Sequence, residues 1–199
     1  GSNMILGSYD LLAATPVLVT GAALTASTQL NVRFCNRNPN NVAVRLAIGT
    51  GGSPVAADYL DYDTSVYRAL EDTGIVCSAG EKIWVQSDTA STSVRIFGFP
   101  TSGGFLGSAD LTASTPSLLG TASKDMTVNI RMCNRNITRA NVRIAIGTGG
   151  AAAAKDWISY DVPLRANGFV EELGIAISSG EKIWVQSDLN NVSARAHYM

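Results

Sequence analysis

Short stretches in which apolar and polar residues alternate recur along the whole chain. Two of the clearest are residues 30–35, LNVRFC, and residues 42–48, VAVRLAI. A period of two puts every other side chain on the same side, which is typical of a β-strand with one buried face. Residues 36–38, which follow the first stretch, read Asn-Arg-Asn, and asparagine favours turns because its short amide bonds the nearby backbone. We therefore expect these two strands to form a β-hairpin.

The alternating pattern and its punctuation occur twice in the chain. Residues 80–88, GEKIWVQSD, recur unchanged as residues 180–188. The tetrapeptide CNRN of residues 35–38 recurs at residues 133–136. Repetition of long words at a nearly constant offset means that the chain contains the same structural unit in two copies.

Each copy contains about seven or eight short strand patterns and no convincing helical pattern, which is typical of a β-sandwich. The sequence therefore predicts an all-β fold of two tandem antiparallel β-sandwich domains, either Ig-like or jelly-roll-like. We place the first domain at residues 4–100 and the second at residues 101–199. The join lies in residues 98–104, which are rich in Pro, Gly and Ser and so resemble a short linker.

Charge and cysteine content narrow the partners that the chain is expected to have. Sixteen acidic and 15 basic residues leave a formal charge of −1, whereas a nucleic-acid-binding protein usually carries a basic patch. No apolar run is long enough to cross a bilayer, and no signal-peptide pattern is visible. Three cysteines without a CxxC pair indicate free thiols in a reducing cytoplasm. We expect no nucleic-acid partner and no membrane partner.

Arginines repeat at equivalent strand positions in the two copies and supply a candidate interaction surface. Where Ile83 and Val85 face the core, the tryptophan between them shares the outer face with the arginines, and Arg and Trp are both favoured in interfaces. Lys82, Trp84 and Gln86 are identical in the second copy, although core packing alone would let an outer face vary. The alternative interpretation is that these arginines and tryptophans lie on an outer sheet face that is simply solvated and binds no partner. The predicted surface consists of Arg33, Arg45, Trp84, Arg95, Arg131, Arg143, Trp184 and Arg195.

No residue pattern indicates catalysis, a metal site or a cofactor. Asp58, Asp61 and Asp63 invite comparison with a calcium loop, but their spacing fits no EF-hand, and the second copy has Ser159 in place of the middle aspartate. A Ser-His-Asp or Cys-His site built on His197, the sole histidine, would exist in one copy only. We therefore expect a protein that is not an enzyme, with no catalytic residue, no metal ligand and no cofactor.

Most of both copies resembles a known family, and the match includes residues 72–76 and 174–175. Residues 78–88, SAGEKIWVQSD, followed by residues 93–99, SVRIFGF, are similar to the end of a β-sandwich unit in small bacteriophage virion proteins. The second copy matches through residues 178–188 and 193–195. Its last residues, AHYM at 196–199, depart from the family's aromatic-Gly-Phe ending, so how the second copy finishes its last strand stays open.

This resemblance implies a structural protein of the phage particle, assembled in the host cytoplasm and located in the virion. Our first expectation is a capsid decoration or cement protein that binds the assembled head. The alternative is a tail, fibre or knob component that binds a glycan or protein of the host surface. The partners expected are other virion proteins, namely the major capsid protein or tail proteins, and further copies of the chain in a homo-oligomer. A fibre should present an aromatic-lined pocket, and a cement protein a broad flat patch.

Overall fold

A computed structural model describes residues 4–199 of the chain. Within these residues the chain forms sixteen β-strands and three one-turn 3-10 helices, at Val19–Gly21, Ala56–Asp58 and Ala154–Asp156. No helix among them is both long enough and apolar enough to cross a bilayer. The all-β fold class predicted from alternation is confirmed.

The first copy contributes eight strands that form two four-stranded antiparallel sheets, in the spatial orders β1-β8-β3-β6 and β2-β7-β4-β5. Successive strands change sheet at each of the first three connections. This order is that of a jelly roll, in which two Greek keys form two packed sheets. The strands are β1 Ile5–Leu11, β2 Val17–Leu18, β3 Thr28–Asn36, β4 Val42–Gly49, β5 Tyr59–Val66, β6 Ala69–Cys77, β7 Lys82–Ser87 and β8 Thr92–Pro100.

The second copy repeats the same topology, with sheets in the orders β9-β16-β11-β14 and β10-β15-β12-β13. The prediction of two tandem antiparallel β-sandwiches is therefore confirmed, and the strand order selects the jelly roll over the Ig-like sandwich. The strands are β9 Gly104–Leu111, β10 Ser117–Thr121, β11 Met126–Asn134, β12 Ala140–Gly147, β13 Trp157–Leu164, β14 Phe169–Ile177, β15 Lys182–Ser187 and β16 Val192–Tyr198.

The predicted hairpin between β3 and β4 is wrong, because the two strands lie in different sheets. Strand β3 pairs with β6 and β8, while β4 pairs with β7. Both strands bury their alternate apolar residues, Leu30 and Phe34 in one sheet and Val44 and Leu46 in the other. Two strands that face each other across a core show the same alternation as two strands side by side, so the pattern could not distinguish them.

Contacts between Cα atoms divide the chain into two compact units. Among the described residues, the first unit contains residues 4–55 together with Asp61–Gly104. The second contains Ala56–Leu60 and Phe105–Met199. The short segment Ala56–Leu60 thus precedes most of strand β5 in the sequence but belongs by its contacts to the second unit.

A buried asparagine closes the point where the chain leaves β3 for the opposite sheet. The side-chain amide of Asn36 donates to the carbonyl oxygens of Asn40, Val66 and Tyr67 at 2.8, 3.1 and 3.1 Å. Its side-chain oxygen accepts from the backbone N–H of Asn38 at 2.8 Å. One side chain therefore satisfies backbone groups from two loops, and a buried carbonyl left without a donor is costly.

The second copy builds the same clamp from the second CNRN word. Asn134 donates to the carbonyl oxygens of Thr138, Leu164 and Arg165 at 2.9, 3.1 and 3.2 Å, and it accepts from the backbone N–H of Asn136 at 3.0 Å. The repetition of this asparagine is therefore explained by its role in the fold.

The last strand of the second copy is completed in spite of its unusual sequence. Strand β16 pairs with β11 in continuous register from Val192 to Tyr198, which lies opposite Val128. Ala196 is buried and Tyr198 packs against the core. The residues AHYM at 196–199 therefore do not prevent the last strand from forming.

Replacing the clamp residue Asn36 with alanine should lower the free energy of unfolding of the first unit by roughly 2–3 kcal/mol, because three carbonyl oxygens lose their donor. Asn40→Ala is the matched control, since the Asn40 side chain is exposed and only its carbonyl takes part in the clamp. Urea unfolding followed by circular dichroism measures both. Equal losses in the two variants would contradict the clamp.

Candidate interaction surface

The eight residues predicted to form one surface lie on two different sheets in each unit. Arg45 and Trp84 belong to strands β4 and β7 of one sheet, while Arg33 and Arg95 belong to β3 and β8 of the other. The expectation that Trp84 shares an outer face with all three arginines is therefore wrong, because the two sheets turn their outer faces in opposite directions. The second unit divides Arg131, Arg143, Trp184 and Arg195 in the same way.

We name these two outer faces by their residues. The tyrosine–arginine face consists of Arg45, Tyr62, Asp63, Trp84 and Gln86 in the first unit and of Arg143, Tyr160, Asp161, Trp184 and Gln186 in the second. The paired-arginine face consists of Arg33, Glu71, Ser93, Arg95 and Phe97 in the first unit and of Arg131, Glu171, Ser193, Arg195 and His197 in the second.

The tyrosine–arginine face is organised around one guanidinium. Arg45 lies directly opposite Gln86 in the register of β4 and β7, so the two side chains share a face. The Nε and Nη2 atoms of Arg45 donate to the two carboxylate oxygens of Asp63 at 2.7 and 3.1 Å. The guanidinium also lies 3.9 Å from the centroid of the Tyr62 ring. Arginine is thus held by a two-point ion pair and a cation–π contact together.

The second unit reproduces this arrangement. Arg143 donates to the carboxylate of Asp161 at 2.6 and 3.1 Å. Its guanidinium lies 3.9 Å from the Tyr160 ring centroid and 5.9 Å from that of Trp157. The aromatic partner of the arginine in both units is therefore the tyrosine of a Tyr-Asp pair on the neighbouring strand, which sequence reasoning missed. The repetition of Tyr-Asp in both copies was the signal that could have found it.

The two aspartates share an unusual backbone conformation, and in the second unit it accompanies a β-bulge. Asp63 and Asp161 have φ of 51° and 52°, in the left-handed region that aspartate tolerates better than most residues. The pairing register of β12 with β13 shifts between Val142 and Ile144, next to this position. A bulge redirects a side chain within a strand, and the left-handed conformation costs about 1–2 kcal/mol. The same unfavourable conformation is thus kept at the same place in both units.

The ion pair changes the ionisation of its carboxylate. The pKa of Asp161 is lowered from its ordinary value, chiefly because Arg143 donates hydrogen bonds to it. Burial opposes this shift, and charge attraction to Arg143 adds a smaller lowering. The pKa of Arg143 is raised by the same contact. The Asp161 side chain is 52% exposed, and exposed pairs contribute little to stability. The pair therefore orients the guanidinium more than it stabilises the fold.

A shallow depression opens beside Arg45 on this face. Its volume is about 320 Å³. It is lined by Ala14, Ala43, Arg45, Asp63, Gln86 and Asp88. The lining presents a guanidinium, carboxylates and an amide, which can bind a polar partner through several hydrogen bonds.

Several residues of the repeated GEKIWVQSD word serve their own unit. The Glu81 carboxylate accepts from the backbone N–H of Ser78 at 2.9 Å. The Lys82 ammonium donates to the carbonyl oxygens of Gly51 and Thr50 at 3.1 and 3.4 Å. The Asp88 carboxylate accepts from the N–H of Ala43 at 2.9 Å. The counterparts Glu181, Lys182 and Asp188 make equivalent bonds. Repetition of Lys82 is therefore explained by loop support.

Trp84 and Gln86 are the residues of this word that stay on the outer face as interaction candidates. Trp84 lies opposite Ala47 in the register of β4 and β7, two positions from Gln86. The indole Nε1 of Trp184 is buried without a hydrogen-bond acceptor among residues 4–199. Buried Trp N–H groups normally find an acceptor, so this atom is an unsatisfied donor within the second unit.

The paired-arginine face of the first unit is open to solvent. Arg33 lies directly opposite both Arg95 and Glu71 on its two neighbouring strands. It forms an ion pair with Glu71, while the Arg95 guanidinium lies 4.9 Å from the Phe97 ring centroid. Two arginines directly opposite each other repel, and these two contacts relieve the repulsion.

The same face is covered in the second unit. Arg131, Arg195 and His197 are all buried there. The Nε atom of Arg131 donates to the carbonyl oxygen of Leu60 at 2.9 Å, and Leu60 belongs to this unit. Arg131 also pairs with Glu171.

Residues with metal-binding or redox chemistry do not cluster within residues 4–199. No group of three or more His, Cys, Asp or Glu in this part of the chain is arranged to hold a metal ion. Asp63, one of the aspartates considered for calcium, is engaged with Arg45. Cys35 is exposed, whereas Cys77 and Cys133 are buried.

Comparison with known proteins identifies no family for this chain. No family model and no curated protein matches it. Among solved structures, it is similar to a fucolectin from striped bass (Morone saxatilis) serum, with 10% identity, 92% of this chain and 85% of that chain covered, and a TM-score of 0.27. It is also similar to the tandem CBM22 domains of Paenibacillus barcinonensis Xyn10C, with 8% identity, 92% of this chain and 82% of that chain covered, and a TM-score of 0.26. A third similar structure is allantoicase of Saccharomyces cerevisiae, with 8% identity, 88% of this chain and 74% of that chain covered, and a TM-score of 0.27. TM-scores this low carry no argument, and the fold assignment rests on strand order.

Neutralising the arginine of the pair should raise the pKa of its aspartate. In the wild type, NMR titration of the Asp161 carboxyl should give a midpoint below the usual value of about 3.9, and Arg143→Gln should move it upward. Because the folded pKa is the lower one, the contribution of the pair to folding is present above the unfolded pKa and is lost as the pH falls through the folded pKa. Arg139→Gln, at an exposed position, is the control and should leave the midpoint unchanged.

Proposed function

We propose that the protein is a non-enzymatic structural component of a bacteriophage virion, and specifically a decoration or cement protein that binds the assembled head. The observation that carries the proposal is the tyrosine–arginine face, which recurs residue for residue on the same sheet of both units. Arg45 and Arg143 are exposed to a similar extent, 29% and 27%. The resemblance of the SAGEKIWVQSD and SVRIFGF segments to phage virion proteins, and the occurrence of jelly rolls in viral capsid domains, support the same conclusion.

The composition of this face suits a protein partner. Tryptophan, tyrosine and arginine are the residues that most often dominate the free energy of protein–protein binding. Here each unit presents all three, with the arginine already held in place by Asp63 or Asp161. A side chain that is ordered before binding loses less conformational entropy when it binds.

Two copies of one binding face in a single chain also suit a repeating partner. Once one face has bound a lattice of identical subunits, the second contact becomes intramolecular and gains from a high effective concentration. A protein that binds assembled subunits, and not unfolded ones, stabilises the assembly by mass action. This is the physical basis on which a decoration protein would strengthen a head.

A tail or fibre component that binds a host-surface glycan is the second candidate. The depression of about 320 Å³ beside Arg45 favours it, since guanidinium, carboxylate and amide groups can bind sugar hydroxyls. Against it, three surface depressions on the two units are lined by aliphatic and polar residues without an aromatic ring. The aromatic residues of the tyrosine–arginine face therefore lie outside these depressions, which favours a protein partner over a sugar.

Fluorescently labelled protein added to virions of the parent phage should bind heads, and electron microscopy of gold-labelled protein should place it there. The double variant Trp84→Ala, Trp184→Ala should weaken head binding by about tenfold or more, because truncating a tryptophan at an interface commonly costs over 1 kcal/mol. Gln86→Glu with Gln186→Glu tests the same face without removing a half-buried ring.

Leu12→Ala is the control variant, because Leu12 is 67% exposed and lies outside both faces. It should bind heads like the wild type. Label on tail tips alone, together with binding to a glycan array, would replace the decoration role with the fibre role. Binding to neither heads nor tails would refute both.

A further inference from the structure

The paired-arginine face is open in one unit and covered in the other, although its residues correspond. The Arg33 side chain is 51% exposed, while its counterpart Arg131 is 6% exposed. Arg95 is exposed and its counterpart Arg195 is buried. The difference cannot come from the strands themselves, because both arginines occupy the same register in the same jelly-roll sheet.

The segment Ala56–Leu60 accounts for part of this cover within the second unit. The Oγ atom of Ser193 donates to the carbonyl oxygen of Ala56 at 2.7 Å, and Arg131 Nε donates to that of Leu60 at 2.9 Å. The Leu60 residue is 2% exposed. The contact is specific, since it joins two backbone carbonyl oxygens to two side-chain donors on adjacent strands and buries one aliphatic side chain.

The chain contains a second segment of the same kind. Residues 154–158, AKDWI, correspond to the AADYL of residues 56–60, and both begin with a one-turn 3-10 helix. Ile158, the counterpart of the buried Leu60, is 48% exposed. The second segment thus has the shape and the aliphatic side chain of the first, but its aliphatic side chain is left open.

One chain therefore presents two surfaces that match the two sides of this contact but are not in contact with each other. The receiving half is the open paired-arginine face of the first unit, with Arg33 and Ser93 in the places of Arg131 and Ser193. The inserting half is residues 154–158. An exposed apolar side chain and an exposed row of hydrogen-bond donors are both features of interaction sites.

We propose that residues 154–158 of one chain dock on the paired-arginine face of the first unit of a second copy of this chain. In this contact Arg33 donates to the carbonyl oxygen of Ile158 and Ser93 donates to that of Ala154, as their counterparts do in the second unit. Glu71 is paired with Arg33 as Glu171 is with Arg131, so the receiving guanidinium has the same anchor.

The contact joins two different surfaces, so it is heterologous. Each chain that accepts a segment still offers its own, and association continues until the rotation closes a ring or extends a filament. Both halves differ from the covered contact at several positions. On the face, Phe97 and Ala69 replace His197 and Phe169, the ring on which Arg131 stacks. In the segment, Lys155, Trp157 and Ile158 replace Ala57, Tyr59 and Leu60. A long lysine side chain can keep its ammonium group in water while its stem lies on an apolar surface. The inference does not depend on the virion role.

Sedimentation velocity of the full chain across a range of concentrations tests this contact. The wild type should associate beyond a monomer, and Ile158→Asp or Arg33→Glu should each raise the dissociation constant at least tenfold. Ile137→Asp is the matched control, because Ile137 is 88% exposed and lies on neither half of the contact. Circular dichroism checks that each variant is folded.

Mixing the two variants separates this contact from any other mode of association. Arg33→Glu chains keep an intact segment and Ile158→Asp chains keep an intact face, so the mixture should form a discrete dimer of one chain of each kind. Either variant alone should remain monomeric. A mixture in which both variants stay monomeric, although the wild type associates, would overturn the proposal.

The native cysteine gives an independent readout. Cys35 lies on the outer side of β3, next to Arg33, and is exposed, whereas its counterpart Cys133 is buried. Alkylation of Cys35 should therefore slow as the wild-type concentration rises, and it should not slow in Ile158→Asp. A wild type that is monomeric at all concentrations, with a constant rate of Cys35 alkylation, would also overturn the proposal.

Discussion

The structure depends on the way in which the chain satisfies its backbone where it crosses from one sheet to the other. In a jelly roll this happens repeatedly, and each crossing removes backbone groups from the hydrogen-bond ladder of a sheet. Asn36 and Asn134 satisfy the crossing after the third strand of each copy with one buried amide. Because those amides also bond the loop between the fifth and sixth strands, they hold the loops at one end of each sandwich in place.

The inner faces of both sheets form the core of each unit. The two units can therefore differ in their binding properties only on the outer faces of their sheets. The tyrosine–arginine face has the same residues and a similar exposure in both units, so whatever binds it must be available to both. The paired-arginine face has matching arginines with unequal exposure, so one copy of it is already used by the chain. The equal exposure of the two tyrosine–arginine faces favours a partner other than this chain. The unequal exposure of the two paired-arginine faces favours a second copy of the chain as the partner.

Alternation predicted the strands and the buried positions well, because Leu30, Val32 and Phe34 obey it strictly. It could not assign strands to sheets, since residues that face one core from opposite sides follow the same period. That ambiguity produced the incorrect hairpin, and it also merged Arg33 and Arg95 with Arg45 into one expected surface. The tyrosine beneath Arg45 was missed for a different reason. Its contact accompanies a left-handed backbone at Asp63, which no periodic pattern encodes.

The repetition of GEKIWVQSD is only partial support for a binding surface. The contacts of its residues show which of them serve the fold and which are left as candidates for binding a partner. Glu81, Lys82 and Asp88 bond the loops of their own unit, so selection for folding alone would keep them. Trp84 and Gln86 have no such duty in the contacts described above, and the buried indole nitrogen of Trp184 lacks an acceptor among residues 4–199. The tryptophan and glutamine positions of the outer face are therefore where partner binding and intrinsic stability can be separated.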